Sequence, residues 1–121
     1  MANADVNLSG FGYNQVTAVT GNKTLAATDC GVVQNVTATC TVTLPATAVG
    51  DVHIVRVGAE GITVTVAPNA VDNIRGNGFT AADNKAAIAT SLPAGSFIKL
   101  VADGAAGWTV DSVRGVWTRQ A

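Results

Sequence analysis

Few residues of this chain could take part in catalysis, because it has one histidine, His53, and one glutamate, Glu60. A histidine that acts as a general base needs a nucleophile within hydrogen-bonding distance and a carboxylate that orients its ring. No Gly-x-Ser-x-Gly turn is present, and the aspartates lie beside glycine or asparagine or at the ends of apolar runs, as turn residues do. A histidine within an apolar run is usually a half-buried polar residue. The sequence therefore predicts no enzymatic activity and no catalytic residue.

Cys30 and Cys40 are a second pair with possible chemistry, and the polar stretch 34–38 between them suits a chain reversal. A two-strand hairpin would bring the thiols opposite each other, and a disulfide closing so short a loop would contribute about 3 kcal/mol. However, thiols stay reduced in a protein that folds in the cytoplasm, and Cys40 shares an apolar face with Val42 and Leu44. We therefore expect two free, buried thiols. Neither the cysteine spacing nor the single histidine suits zinc, so no metal and no cofactor is predicted.

Composition indicates a folded domain that assembles with other proteins. Apolar residues make up 48% of the 121 positions and charged residues 12%, about half of the roughly 25% typical of globular proteins. A protein with so little charge often buries part of its surface against partners. The net charge of −1 and the scattered basic residues offer no positive patch for nucleic acid. No apolar run approaches the ~18 residues of a membrane span, and the first residues lack the pattern of a secretory signal.

Short runs of apolar residues and threonine, separated by turn residues, predict strands. The run 39–44 has Cys40, Val42 and Leu44 on one face and threonines on the other, which is the pattern of a half-buried antiparallel strand. The segment 58–61 lies between two such runs and predicts a tight hairpin. The predicted strands cover 15–19, 23–27, 31–36, 39–44, 51–57, 62–67, 96–102, 107–113 and 115–118.

The stretch 81–91 is ambiguous, because Asp83 could cap a short helical turn or the stretch could form an irregular edge segment. Elsewhere, roughly eight to ten short strands with frequent turns are typical of an all-β fold. We predict an antiparallel β-sandwich, jelly-roll-like, with at most one short helical turn near 83–90. This single domain spans 15–121 and is preceded by an N-terminal arm over 1–14.

Several short sequence motifs, each typical of a strand and the turn beside it, occur in a characteristic order along the chain. They are Val42-Thr43-Leu44-Pro45-Ala46, then Pro68-Asn69-Ala70 with Asp72-Asn73-Ile74-Arg75-Gly76, and finally Asp103-Gly104 with Gly107-Trp108. In this combination the chain resembles small β-rich structural proteins of tailed-bacteriophage virions. Capsid decoration (cement) proteins and tail-fibre modules both contain such motifs.

The resemblance implies a virion structural protein, namely a capsid decoration or cement protein that stabilises the head by bridging major capsid subunits. The expected partners are the major capsid protein and further copies of the chain, with a homotrimer preferred over a dimer, and neither nucleic acid nor membrane is expected. The implied location is the capsid surface of the virion, after folding in the host cytoplasm. The alternative is a receptor- or glycan-binding module of a tail, but the sequence has no shaft repeats or coiled-coil heptads, which favours the decoration protein.

The two ends of the chain hold the residues expected to contact partners. Phe11 and Tyr13 are the large side chains of the N-terminal arm, whose polar composition suits ordering in a partner's groove. Trp108 is expected in the core, whereas Trp117 either joins the core or anchors an interface, since Trp, Tyr and Arg are common hot-spot residues. The predicted partner interface comprises Phe11, Tyr13, Arg114, Trp117 and Arg119.

Overall fold

The computed structural model describes residues 15–47, 51–69, 72–76, 78–79, 84–104 and 107–121, which consist mainly of strands and connecting turns. Within these ranges the one helical element is a 3₁₀ turn at Ala27–Asp29, and no helix there is long and apolar enough to cross a membrane. The strands are β1 (Val16–Val19), β2 (Lys23–Thr24), β3 (Val33–Val36), β4 (Cys40–Thr43), β5 (Val52–Val57), β6 (Thr63–Ala67), β7 (Asn73–Arg75), β8 (Ala87–Thr90), β9 (Phe97–Ala102), β10 (Gly107–Arg114) and β11 (Thr118–Arg119).

The strands form two sheets that enclose a common core. The larger sheet has six strands in the order β1-β3-β5-β9-β10-β7, and the smaller has five in the order β11-β8-β6-β4-β2. Fully buried side chains from both sheets meet between them, including Val36, Val55 and Leu100 from the larger sheet and Val42 and Val66 from the smaller. The prediction of an all-β sandwich is therefore confirmed.

From β1 to β6 the chain alternates between the two sheets, so each strand lies beside the strand two positions earlier. β3 pairs in parallel with β1 and β5, and β4 pairs in parallel with β2 and β6. The turn 58–61 therefore carries the chain from one sheet to the other, and the hairpin predicted there is wrong. Both sheets are mixed where antiparallel sheets were predicted, so the connectivity also differs from that of a jelly roll.

The error in strand direction has a physical reason. Side chains alternate between the two faces in parallel and antiparallel ladders alike, so a period of two identifies the buried face but not the direction of the neighbour. The predicted inward faces are accordingly correct: Cys40, Val42 and Leu44 are buried, as are Ile98 and Leu100. Strand direction depends instead on where each connection leads, and these connections cross between sheets.

The described part of the ambiguous stretch forms the strand β8. It therefore takes neither the helical turn nor the irregular form considered for it, and it agrees with the prediction of at most one helical turn. β8 lies between β6 and β11, and Ala87 and Ala89 are fully buried in the core. The flanking strands supply hydrogen-bond partners and apolar contacts on a scale of about 1 kcal/mol per interaction. That outweighs the helix preference of alanine and lysine, which is about 0.5 kcal/mol per residue.

Gly107 marks a close approach between β10 and β7. It lies opposite Asn73 in a parallel pair, and its N–H donates to Asp103 Oδ1 at 3.1 Å. A Cβ atom added at Gly107 would overlap the backbone of Asn73. Asp103 also pairs with Arg75 of β7, so one carboxylate contacts both strands of this junction.

We expect Gly107→Ala to lower the free energy of unfolding by about 2–4 kcal/mol, because the added methyl group must push β7 away from β10. Denaturant unfolding followed by circular dichroism measures this change. Gly21→Ala is the matched control, since a Cβ atom there would meet nothing within 4 Å, and it should shift stability by less than about 0.5 kcal/mol. Equal effects from the two substitutions would show that the junction does not need a glycine.

Candidate functional site

A groove of about 300 Å³ lies on the outer face of the larger sheet, the face turned away from the core. Neighbouring strands and the loop before β9 contribute its walls and floor. We call it the outer groove, and it is lined by Val16, Val33, Ile54, Arg56, Gly95, Phe97 and Arg114.

One row of the outer groove is aliphatic. Strand register places Val16 beside Val33, and Val33 beside Ile54. Val33 and Ile54 are both 2% exposed, whereas Val16 on the edge strand is 56% exposed. The aliphatic row therefore runs from a covered centre to an open edge, where apolar surface remains available.

A second row carries the charge. Phe97 of β9 lies between Arg56 of β5 and Arg114 of β10, its cross-strand neighbours. Arg56 Nε donates to Asn35 Oδ1 at 2.9 Å, which orients that guanidinium. The guanidinium of Arg114 has neither a hydrogen bond nor an ion pair with any described residue. None of the described lining residues is acidic, so within the described part of the chain the two positive charges beside the aromatic ring have no carboxylate partner.

The loop before β9, which contributes Gly95 to the outer groove, is fixed by hydrogen bonds from its backbone N–H groups. Ala94 N–H donates to Glu60 Oε2 and Gly95 N–H donates to the Val57 carbonyl, at 2.9 and 2.8 Å. Gly95 adopts a φ of +97°, a conformation that favours glycine. Glu60 therefore has a structural contact, and the loop is held against the sheet.

The outer groove has the composition of a binding surface. Its described lining residues include no histidine, cysteine, serine or carboxylate that could act as a nucleophile, acid or base. Guanidinium groups bind carboxylates through paired N–H donors, and the exposed Val16 at the open edge can contact an apolar side chain. The arrangement suits a ligand that combines an apolar group with a negative charge.

The structure separates the residues predicted to form a partner interface. Arg114 lines the outer groove, whereas Arg119 is exposed on β11 of the other sheet. Trp117 is 7% exposed and belongs to the core, and its indole N–H donates to the Arg114 carbonyl at 3.1 Å. This placement leaves little of the Trp117 ring for a partner. Phe11 and Tyr13 lie outside the described residues.

Sequence analysis missed the remaining polar and aromatic members of the groove, Arg56 and Phe97. The run 51–57 is apolar apart from its first residue, His53 and Arg56, and such a run predicts a buried strand without distinguishing its two faces. Alternation within that run would have placed Arg56 on the same face as Ile54, opposite to Val55 and Val57. The pairing of Arg56 with Phe97 joins strands that are distant in sequence, and no local pattern predicts it.

His53 lies on the inner face of β5 and is fully buried, more deeply than the predicted half-buried state. Its ring meets Trp108 edge to face, with centroids 5.3 Å apart and planes at 65°. Within the described part of the chain neither His53 nitrogen has a hydrogen-bond partner, and the same holds for Trp108 Nε1 and Gln34 Nε2.

Burial lowers the pKa of His53, and the charges of Asp51 and Asp29 only partly oppose that shift. The imidazole is therefore kept neutral in the core. Trp108 is fully buried, as predicted.

The two cysteines are unbridged, but only one is buried. Cys40 lies in the core, where burial raises the pKa of its thiol. Cys30 is exposed, contrary to the prediction, and its Sγ accepts a hydrogen bond from Val52 N–H at 3.3 Å. The prediction failed for Cys30 because the residue precedes β3 in the turn that follows the 3₁₀ segment, where the chain is at the surface.

The described ranges contain no group of three or more His, Cys, Asp or Glu side chains placed to hold a metal ion. In comparisons with known proteins, no family model, no curated protein and no solved structure matches this chain.

Neutral His53 makes folding stability sensitive to mild acid. Because its folded-state pKa lies below the unfolded value of about 6.5, the unfolded chain takes up the proton first. The free energy of unfolding should be constant above about pH 7.5 and fall as pH drops through 6.5, by at most about 1.4 kcal/mol per pH unit for one proton. Denaturant unfolding between pH 8 and about 5.5 measures this slope, above the range in which ordinary carboxylates titrate.

His53→Leu is the matched variant, since His53 is the only histidine of the chain. It should abolish the slope while keeping the core filled. A slope that persists in His53→Leu, or a parent protein whose stability is flat over this range, would contradict the assignment.

Proposed function

We propose that this chain is a structural protein of a bacteriophage virion, acting as a capsid decoration or cement protein that binds neighbouring coat subunits. The observation that carries the proposal is the outer groove, where aliphatic side chains adjoin two arginines that form no ion pair with a described carboxylate. The sequence resemblance to virion structural proteins supplies the biological setting. The low charged fraction of 12% supports a protein that covers part of its surface in an assembly.

The proposed mode of binding follows from the geometry of the two rows. A segment of a coat subunit places an apolar side chain against Val16, at the exposed end of the aliphatic row, and a neighbouring carboxylate binds Arg56 or Arg114. Arginine suits this role because its planar donors engage a carboxylate through two hydrogen bonds and its stem adds apolar contact. The chain would then act by burying surface across subunit boundaries, with the capsid subunits and further copies of itself as its partners.

The first test is where the protein occurs and in how many copies. Quantitative mass spectrometry of density-purified particles, prepared from the virus or host that encodes the chain, should find it at hundreds of copies per particle. A handful of copies would place it in a tail and favour the receptor- or glycan-binding alternative. Absence from particles would overturn the proposal.

The second test addresses the outer groove itself. Arg56→Glu and Arg114→Glu should each weaken binding to particles lacking the protein by about 2 kcal/mol or more, the loss typical of an interface hot spot. Arg119→Glu makes the same charge change on the other sheet and should bind nearly as well as the parent protein. Co-sedimentation of purified variants with the particles measures the affinities. Equal losses in all three variants would mean that only net charge matters, which would contradict a specific groove.

A further inference from the structure

The free edges of the two sheets differ in how well they are protected from pairing with another chain. β2, β7 and β11 are two or three residues long and carry Lys23, Arg75 and Arg119, respectively. Short length and a basic residue are the usual devices that prevent an edge strand from accepting a new neighbour. β1 is longer, at four residues, and its sequence Val16-Thr17-Ala18-Val19 contains no charged residue. It is paired with β3 in unbroken register, and Val16 is 56% exposed.

Among the described residues, β1 has backbone hydrogen-bonding groups that no neighbouring strand uses. The carbonyl oxygens of Gln15 and Val19 accept hydrogen bonds from the β3 side, each at 3.0 Å. Backbone groups of successive residues in a strand point to opposite sides. The N–H and C=O groups of Val16 and Ala18 therefore point away from β3, along the free edge of the larger sheet.

We infer that this edge pairs with β1 of a second copy of the chain, antiparallel and across a twofold axis at Thr17. In that register Val16 lies opposite the partner's Ala18, and Ala18 lies opposite the partner's Val16. Each of these pairs exchanges two backbone hydrogen bonds, so four bonds satisfy all the outward-pointing groups of both residues. The two larger sheets become one continuous sheet.

A second copy fits this edge better than another edge of the same protein does. A twofold contact uses the unprotected edge on both sides, because the same surface patch serves each subunit. Any head-to-tail contact would place β1 against β2, β7 or β11, each of which carries a basic residue. The inferred unit is a dimer in place of the trimer implied by the sequence resemblance. The inference does not depend on the proposed role in a virion, because purified protein alone tests it.

Ala18→Pro tests the pairing directly. Proline removes the Ala18 N–H, which β3 does not use, and proline is tolerated on an edge strand where the missing donor faces solvent. Sedimentation of the parent protein over about 1–100 µM should show a concentration-dependent dimer, and Ala18→Pro should weaken dimerisation by at least about tenfold.

Ala18→Lys should act in the same direction by adding the protective charge that β1 lacks. Thr109→Lys adds the same charge at an exposed position on a strand inside the larger sheet, and it should leave dimerisation unchanged. Unchanged circular dichroism of each variant establishes that the monomer fold is intact.

Crosslinking checks the register. In a Cys30→Ser background, Thr17→Cys should form an intermolecular disulfide on mild oxidation. The two Thr17 positions face each other as a non-hydrogen-bonded pair with Cα atoms about 4.5 Å apart, which is within disulfide range. Ala18→Cys should crosslink far less, because the two Ala18 positions lie diagonally across the axis. A parent protein that remains monomeric, one that forms trimers, or a dimer that Ala18→Pro does not weaken would each overturn the inference.

Discussion

The hydrogen-bonded register of β5 is the constraint on which the rest of the structure depends. β5 pairs in parallel with β3 on one side and antiparallel with β9 on the other, so it joins the two halves of the larger sheet. Ile54 lies beside Val33 and Arg56 lies beside Phe97 only in this register. A slip of one residue would exchange the two faces of the strand, placing Arg56 in the core and His53 at the surface. The same register of β5 therefore determines which residues enter the core and which line the outer groove.

The same register explains the polar residues in the core. His53 is on the inner face of β5 and is therefore buried beside Trp108. Gln34 is on the inner face of β3, so its side chain is buried in the core as well. Lys23 Nζ donates to Gln34 Oε1 at 2.9 Å, which satisfies one end of the amide. A buried polar atom without a partner costs about 1–3 kcal/mol. The protein retains such atoms near the centre of its larger sheet, where the surrounding valines and leucines supply the compensating apolar burial.

Sequence patterns predicted the parts of the fold that depend on one strand at a time. The alternation in 39–44 identified the buried face of β4, and the expected place of Trp108 in the core was correct. Strand direction, the crossing at 58–61 and the strand identity of 87–90 were not predicted, because each depends on a neighbour that is distant in sequence. For the candidate site, Arg114 was identified from its position near the chain end. Arg56 and Phe97 were missed, since only the pairing of β5 with β9 brings them together.

The alternation of the first six strands between the sheets also bears on how the molecule opens. β1 with β2, β3 with β4, and β5 with β6 form successive turns of the chain, and each contacts mainly the turn before and the turn after it. Stability in such an arrangement propagates from neighbour to neighbour, as it does in repeat proteins. Among the described strands of one chain, the first turn has a neighbour on one side only, whereas the third is also paired with β9 and β8. In the monomer we therefore expect local opening to begin at β1 and β2 and to proceed inward, with amide protection against hydrogen exchange rising from β1 through β3 to β5.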